Sequence, residues 1–167
     1  MRSGFLFLLF ATLATVAGHD IWVAHNQINA TVCARIIESR STTAVDSLLH
    51  EKVFSPQLAA YARNYTAFPH IGSDTGYVLN SINASSDPIV PGYAPHADWM
   101  VTGMLMLNSD VGGGDVVLGR QRMRFAPRCG LLLLFPNSYT HPVSVDEVRI
   151  GEMHFVVMWY RLFTAHK

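Results

Sequence analysis

The sequence has no excess of charge of either sign, and it has few cysteines. Of its 167 residues, Lys+Arg and Asp+Glu number 12 each, and two are cysteines. A balanced charge supplies no electrostatic field that would steer nucleic acid or an anionic membrane to the protein, so neither is an expected partner. The sequence also contains no internal repeat, linker or low-complexity tract, which favours a single domain.

Long apolar runs are confined to the start of the sequence. The uncharged stretch Ser3–Gly18 follows a single Arg and ends on small residues. It is shorter than the ~20 residues that a membrane-spanning helix needs. Residues 1–18 are therefore predicted to be a cleaved signal peptide, with an uncleaved signal anchor as the alternative. Residues 19–167 would then be one domain in the secretory pathway, in the endoplasmic reticulum lumen or secreted, with no membrane span.

Two further features bear on this compartment. Asn29, Asn64 and Asn83 each begin an Asn-x-Ser/Thr triplet and are predicted glycan acceptors. Cys33 and Cys129 could form one disulfide, but Cys33 also lies on the apolar face of a predicted helix, where buried free thiols are common. The distance between the two Cα atoms decides between these alternatives, and the sequence does not give it.

The first part of the chain has helical spacing. Asn29 is a plausible N-cap for a short helix, and Thr43 with Asp46 makes a capping-box pattern for a second one, which Pro56 is expected to interrupt. Residues 29–62 are thus predicted to be helical.

Residues 77–162 have the texture of a β-sheet protein. Short apolar or alternating runs are bounded by Gly, Pro, Asn and Asp, at spacings typical of a sandwich or barrel. We expect a mainly β, jelly-roll-like barrel preceded by helices. The predicted strands are Tyr77–Ile82, Val101–Leu107, Asp115–Leu118, Arg122–Ala126, Gly130–Phe135, Val143–Val148 and Glu152–Leu162.

Three residues are candidate metal ligands. His96 and Asp98 are two residues apart, so on an extended strand both side chains project from one face. His141 follows a later strand and a Pro-Asn turn, and closure of a small barrel could bring it to the same point. Two His and one carboxylate suit non-haem Fe(II), because they leave three coordination positions open. The alternative is that each is an ordinary surface or loop residue.

The order of short motifs resembles the catalytic domain of prolyl 4-hydroxylases and their relatives. The resemblance covers roughly residues 90 to 160. The motifs are Tyr93-x-Pro-His-x-Asp, Leu107-Asn108 leading into Gly112-Gly113-Gly114-Asp115, Pro127-Arg128-Cys129-Gly130 followed by four Leu and Phe135, His141-Pro142-Val143, and Gly151 eight residues before Trp159.

This resemblance implies a double-stranded β-helix that binds Fe(II) through His96, Asp98 and His141. It implies a dioxygenase that oxidatively decarboxylates 2-oxoglutarate to succinate and CO2 while it hydroxylates an unactivated C–H bond of a protein or peptide, in particular of proline. Ascorbate would serve as reductant. Tyr93 would line the cosubstrate pocket.

One residue departs from the resemblance. The family normally places an Arg or Lys about ten residues after the second His, where it pairs with the far carboxylate of 2-oxoglutarate. Here that position falls on Met153. Arg149 is our candidate to bind the cosubstrate in place of this basic residue. It lies four residues before Met153, which corresponds to roughly 13 Å along an extended strand.

Arg122 and Arg124, on another predicted strand, are the other candidates for this role. His154 is adjacent to Met153 but would point to the opposite face of its strand.

Two other functions remain open at this stage. The chain could be a degenerate, non-catalytic relative that keeps the barrel as a binding module, which Met153 favours. It could also be a jelly-roll metal- or carbohydrate-binding protein without oxygen chemistry, because a fold alone does not establish a function. The oligomeric state is not predicted.

Overall fold

The computed structural model describes residues 14–17, 20–39, 43–65, 71–84 and 99–162. Antiparallel strands are the commonest regular structure of these residues, and the described helices lie between Ala30 and Asn64. The elements are β1 (Ala14–Ala17), β2 (Ile21–Ala24), α1 (Ala30–Ser39), α2 (Thr43–Leu48), a π-helical segment (Leu49–Phe54), α3 (Ser55–Asn64), β3 (Ile71–Asp74), β4 (Val78–Asn83), β5 (Trp99–Met106), β6 (Gly112–Gly113), β7 (Val116–Leu118), β8 (Met123–Phe125), β9 (Leu132–Pro136), β10 (Val143–Val145), β11 (Val148–Ile150) and β12 (Glu152–Leu162).

One large sheet carries the fold. Its strands lie in the order β1-β2-β9-β5-β12-β3, and β4 also pairs with β12. The eleven-residue strand β12 pairs with β4 over residues 152–157 and with β5 over residues 155–161. Two smaller sheets, β10-β7-β8 and β11-β6, complete the barrel. The architecture is mainly β with N-terminal helices, as predicted.

Alternation along the central strands divides the apolar residues between two cores. On β9, Leu133 and Phe135 contribute to the core inside the barrel, whereas Leu132 and Leu134 contribute to a core between the large sheet and the helices. Both faces of β9 are therefore covered, which explains its continuous apolar sequence. We call the first of these cores the barrel interior. It also receives Ile82, Met104, Met106, Val148, Met153, Phe155 and Val157.

The described helices lie between Ala30 and Asn64, close to the predicted range of residues 29–62, but they depart from the prediction at Pro56. Asn29 is the expected N-cap of α1, since its Oδ1 accepts a hydrogen bond from the Val32 N–H (3.0 Å). Pro56 does not interrupt the second helix. Instead, the chain takes a π-helical turn in which the Ser55 N–H donates to the His50 carbonyl, and α3 then begins with Pro56 in its first turn. Proline is tolerated there because the first helical N–H groups need no intrahelical partner.

The structure adds strands outside the predicted β range of residues 77–162. β2 precedes the helices and β3 follows them. β1 lies inside the predicted signal peptide and pairs antiparallel with β2. Within the described residues, none of the helices has the length and apolar character needed to cross a membrane.

Most predicted strands are shifted by one or two residues at their ends, and for two of them the structure gives a specific reason. Arg122 lies in a turn with φ +56° and its N–H donates to the Gly119 carbonyl, so β8 begins at Met123. The predicted strand Val143–Val148 is divided into β10 and β11, which pair with different partners, β7 and β6.

Candidate metal centre

His141 lies in the loop between β9 and β10, at the rim of the barrel. Its backbone N–H donates to the Ser138 carbonyl (2.9 Å), which closes a turn, and two residues later Val143 starts β10 opposite Leu118. The side chain of His141 is 9% exposed. Among the described residues, and leaving tyrosine and tryptophan aside, His141 and Thr102 are the two with buried polar side chains. A buried histidine at a barrel rim is a suitable metal ligand.

The imidazole of His141 is oriented by its neighbours. Its Nδ1 atom lies 2.9 Å from Thr140 Oγ1, which in turn lies 2.6 Å from Ser138 Oγ. Ligating histidines are usually held by a hydrogen bond to the ring nitrogen that does not bind the metal. The arrangement therefore fits a histidine that coordinates iron through Nε2.

Asn137 joins the loop of His141 to the start of β5. Its backbone N–H donates to the Met100 carbonyl (2.8 Å), and its Nδ2 donates to the Trp99 carbonyl (3.3 Å). Its Oδ1 accepts a hydrogen bond from Thr102 Oγ1 (3.2 Å). We call these three contacts the Asn137 clamp. Since Trp99 directly follows Asp98 in the chain, the clamp holds the loop of His141 against the residues that come just after the other two predicted ligands in the sequence.

The start of β5 is also held by an aromatic pair. The rings of Trp99 and Trp159 are stacked, with centroids 4.5 Å apart and planes 20° from parallel. Stacked aromatic pairs of this geometry stabilise the elements that carry them. The pair links the residue after Asp98 to the end of β12.

His96, Asp98 and Tyr93 lie outside the described residues. Among the residues that the structure does describe, no cluster of three or more His, Cys, Asp or Glu could hold a metal. The prediction that His96, Asp98 and His141 converge thus stays a prediction, and the donor set of two imidazoles and one carboxylate suits Fe(II).

Among the described residues, the barrel interior offers no basic partner for the far carboxylate of 2-oxoglutarate. Met153 is 0% exposed and lies in the interior, where the resemblance implies a basic residue. Arg149, Arg122 and Arg124 are all exposed. Arg124 pairs with Asp146 and Asp115, and these pairings, above all the one with Asp146, raise the pKa of its guanidinium.

His154 points to the opposite face of β12 from Met153, as the alternation predicts. There its Nδ1 lies 2.9 Å from Ser81 Oγ. None of the substitutes named from the sequence is therefore placed in the interior.

Cys33 and Cys129 form a disulfide, with Cα atoms 6.4 Å apart. The sequence leaves open whether these cysteines are bonded or free, and in the structure they are bonded. It joins α1 to the loop before β9. The three predicted glycan acceptors, Asn29, Asn64 and Asn83, are all exposed.

The polar residues that position His141 were not predicted from the sequence. Thr140 and Ser138 are its immediate neighbours, and a hydroxyl next to a candidate ligand was a usable signal. The Asn137 clamp was harder to anticipate, because two of its three contacts are to backbone carbonyls, which carry no sequence signature.

Several solved structures share this architecture. The collagen prolyl hydroxylase of Paramecium bursaria Chlorella virus-1, solved as a 2OG complex, matches with a TM-score of 0.69 and 12% identity over 88% of this chain and 98% of that one. A Pseudomonas putida prolyl 4-hydroxylase matches with a TM-score of 0.64 and 13% identity over 90% of each chain. A Phytophthora capsici prolyl 4-hydroxylase matches with a TM-score of 0.59 and 16% identity over 87% of this chain and 60% of that one.

No sequence-family model and no curated protein sequence matches the chain. The structural likeness, at these low identities, establishes the fold. The chain is a single-domain double-stranded β-helix, which confirms the predicted fold class. In particular, it has the fold of the prolyl 4-hydroxylase-type Fe(II)/2-oxoglutarate oxygenases, so the resemblance found in the sequence is confirmed at the level of the fold.

Proposed function

We propose that the protein is an Fe(II)-dependent oxygenase that uses a 2-oxo acid to hydroxylate a protein side chain, with peptidyl proline as its substrate. The solved proteins of the same fold are prolyl hydroxylases by name, which supports this choice of substrate. The Asn137 clamp is the observation that carries the proposal. It holds the loop of His141 against the residues that follow Asp98, as a shared metal site requires.

His96, Asp98 and His141 would hold the iron, and Tyr93 would line the pocket beside it. With the iron and a 2-oxo acid bound, the site would supply oxidative decarboxylation, in which one oxygen atom of O2 enters the shortened acid and the other enters the substrate C–H bond. Ascorbate would keep the iron reduced.

The remaining residues of the site would position the His141 ring and shield the reacting groups from water. Thr140 and Ser138 would hold the His141 ring, and the apolar barrel interior would exclude water from the reacting groups.

We place this activity in the secretory pathway. The predicted signal peptide, the exposed Asn29, Asn64 and Asn83, and the Cys33–Cys129 disulfide all suit an oxidising lumen. Protein produced in eukaryotic cells should begin at Gly18 or His19, without the residues of β1, and should lose mass when treated with a glycan-removing enzyme. An intact, unglycosylated cytosolic chain would argue against this compartment.

The activity is tested with two matched histidine variants. His141→Ala should abolish binding of Fe(II) or Co(II) and the hydroxylation of a proline-containing peptide, measured as a mass increase of one oxygen atom. His154→Ala removes a histidine from the face of β12 that points away from the barrel interior and should preserve both. Equal metal binding by the two variants would contradict the proposed ligand set.

A non-catalytic binding module is the second candidate function. The burial of Met153 favours it, because the interior then lacks the expected partner for 2-oxoglutarate. This candidate predicts metal binding that depends on His141 without decarboxylation of any 2-oxo acid in the presence or absence of peptide.

A further inference from the structure

The barrel interior is apolar where a cosubstrate would be recognised. Met153 projects inward from β12 together with Phe155 and Val157, and it lies opposite Ile82 on β4. A Cβ built at Gly114 would lie 3.2 Å from Met153 Sδ and 3.2 Å from Val148 Cγ2. The Met153 side chain therefore crosses from β12 to the backbone after β6 and packs beside Val148.

No cation among the described residues reaches this interior. Each of their arginines and lysines is exposed: Arg35, Lys52, Arg63, Arg120, Arg122, Arg124, Arg128, Arg149 and Arg161. Residues 85–98, which contain the two other predicted ligands, include neither Arg nor Lys. A carboxylate buried in this interior would lose its hydration without gaining a charged partner.

Hydroxyl donors offer no substitute in the described part of the interior. Among the described Ser and Thr residues, Thr102 is the one that is buried, and its Oγ1 already donates a hydrogen bond to Asn137 Oδ1. The second carboxylate of a dicarboxylic acid would thus gain neither a cation nor an available Ser or Thr hydroxyl from the described residues of the interior.

Methionine is unusually frequent in the same core. Met104 and Met106 on β5 are 1% and 0% exposed and share the barrel interior with Met153, and Met123 packs against it. Unbranched thioether side chains adapt to irregular apolar shapes. Such a lining suits an aliphatic or aromatic group better than a carboxylate.

We infer that the cosubstrate of this protein is a 2-oxo acid with an apolar tail, such as 4-methyl-2-oxopentanoate or phenylpyruvate, and that Met153 is the residue that selects it over 2-oxoglutarate. The inference rests on the proposed function, because the 2-oxo acid group would bind to the iron held by His96, Asp98 and His141. The apolar tail would pack against Met153 and its neighbours.

Binding of 2-oxo acids to the protein loaded with redox-inert Zn(II) tests this inference without turnover. Titration calorimetry should give 4-methyl-2-oxopentanoate an affinity roughly ten- to a hundredfold higher than that of 2-oxoglutarate, since the latter leaves a carboxylate without a charged hydrogen-bond partner. Met153→Arg should reverse the preference, and Met153→Leu should preserve it.

Zn(II) binding is measured first, in order to separate this inference from the proposed function. If Zn(II) does not bind, both fail. If Zn(II) binds and 2-oxoglutarate binds more tightly than the apolar acids, or no 2-oxo acid binds at millimolar concentration, the inference is overturned while the metal site stands. Should Met153→Arg fail to fold, the comparison of acids on the wild type and on Met153→Leu remains decisive.

Discussion

Asn137 and Met100 are joined by a backbone hydrogen bond of 2.8 Å, which connects the loop of His141 to the second residue after Asp98. The Asn137 side chain adds contacts to Trp99 and Thr102. Two segments that are about forty residues apart in the sequence are thereby held as one unit at the barrel rim. Any metal site built from His96, Asp98 and His141 depends on this connection.

Asn137→Ala should therefore weaken metal binding more than it weakens the fold. Loss of two side-chain hydrogen bonds should lower the free energy of unfolding by about 1–3 kcal/mol. Displacement of the His141 loop should lower Co(II) affinity by roughly ten- to a hundredfold, as is typical when residues that orient ligands are removed. Metal titration and urea denaturation measure the two effects.

Asn80→Ala is the matched control, since the Asn80 side chain makes its local contact with the Val78 carbonyl on β4. It should change neither quantity appreciably. Unchanged metal affinity in Asn137→Ala would mean that the clamp does not position the ligands.

The strands that were predicted and those that were missed differ for a physical reason. The run Leu131–Phe135 is bounded by Gly130 and Pro136, so β9 could be predicted from the sequence alone. β2 consists of four residues and begins three residues after the end of the predicted signal peptide, and nothing in so short a run indicates pairing with β9. Long-range pairing decides its structure, and local propensity does not.

The candidate site differs from the fold, because the convergence of His96, Asp98 and His141 stays a prediction. The order of the motifs indicated the fold and the position of His141, and the substitution at Met153 was visible in the alignment of Gly151 and Trp159. The exposure of Arg149 was not predictable, because the irregular pairing between β11 and β6 determines the direction of its side chain. A sequence does not specify such a register shift.

The disulfide should contribute a large share of the stability. Cys33 and Cys129 are separated by 96 residues, so the bond restricts a long loop of the unfolded chain. A native bond of this kind is worth about 2–5 kcal/mol. Urea denaturation should show this loss in the double variant Cys33→Ala/Cys129→Ala. Reduction of the wild type should produce a similar loss, and equal stability of the reduced and oxidised proteins would contradict the prediction.

Gly130 should be the glycine in the loop before β9 that does not tolerate a side chain. It has φ +79°, and a Cβ added there would lie 2.4 Å from the Ile28 carbonyl oxygen. Gly130→Ala should lower the free energy of unfolding by about 1–3 kcal/mol through backbone strain. Gly119→Ala is the matched control, because no atom lies within 4 Å of a Cβ at that position. Thermal denaturation should distinguish the two variants, and equal melting temperatures would contradict the assigned conformation.

Tyr61 should make the protein sensitive to alkali. Its hydroxyl donates to the Asp20 carbonyl (2.9 Å), the side chain is 0% exposed, and burial, with smaller contributions from Tyr65 and Asp20, raises the pKa of the phenol well above its usual range. Since the pKa is higher in the folded chain than in the unfolded chain, the stabilisation is fully present below pH ~10 and is lost as the pH rises above that value.

At neutral pH, Tyr61→Phe should cost about 1 kcal/mol for the lost hydrogen bond. Above pH ~10 the wild type should lose up to about 1.4 kcal/mol per pH unit through this one group, so the difference between the two proteins should shrink and then reverse. Urea denaturation at a series of pH values between neutrality and pH ~11 measures this crossing. Tyr139→Phe serves as the control, because Tyr139 is 70% exposed and meets water in both states. A constant gap between the wild type and Tyr61→Phe across this range would show that Tyr61 ionises as readily in the folded protein as in the unfolded chain.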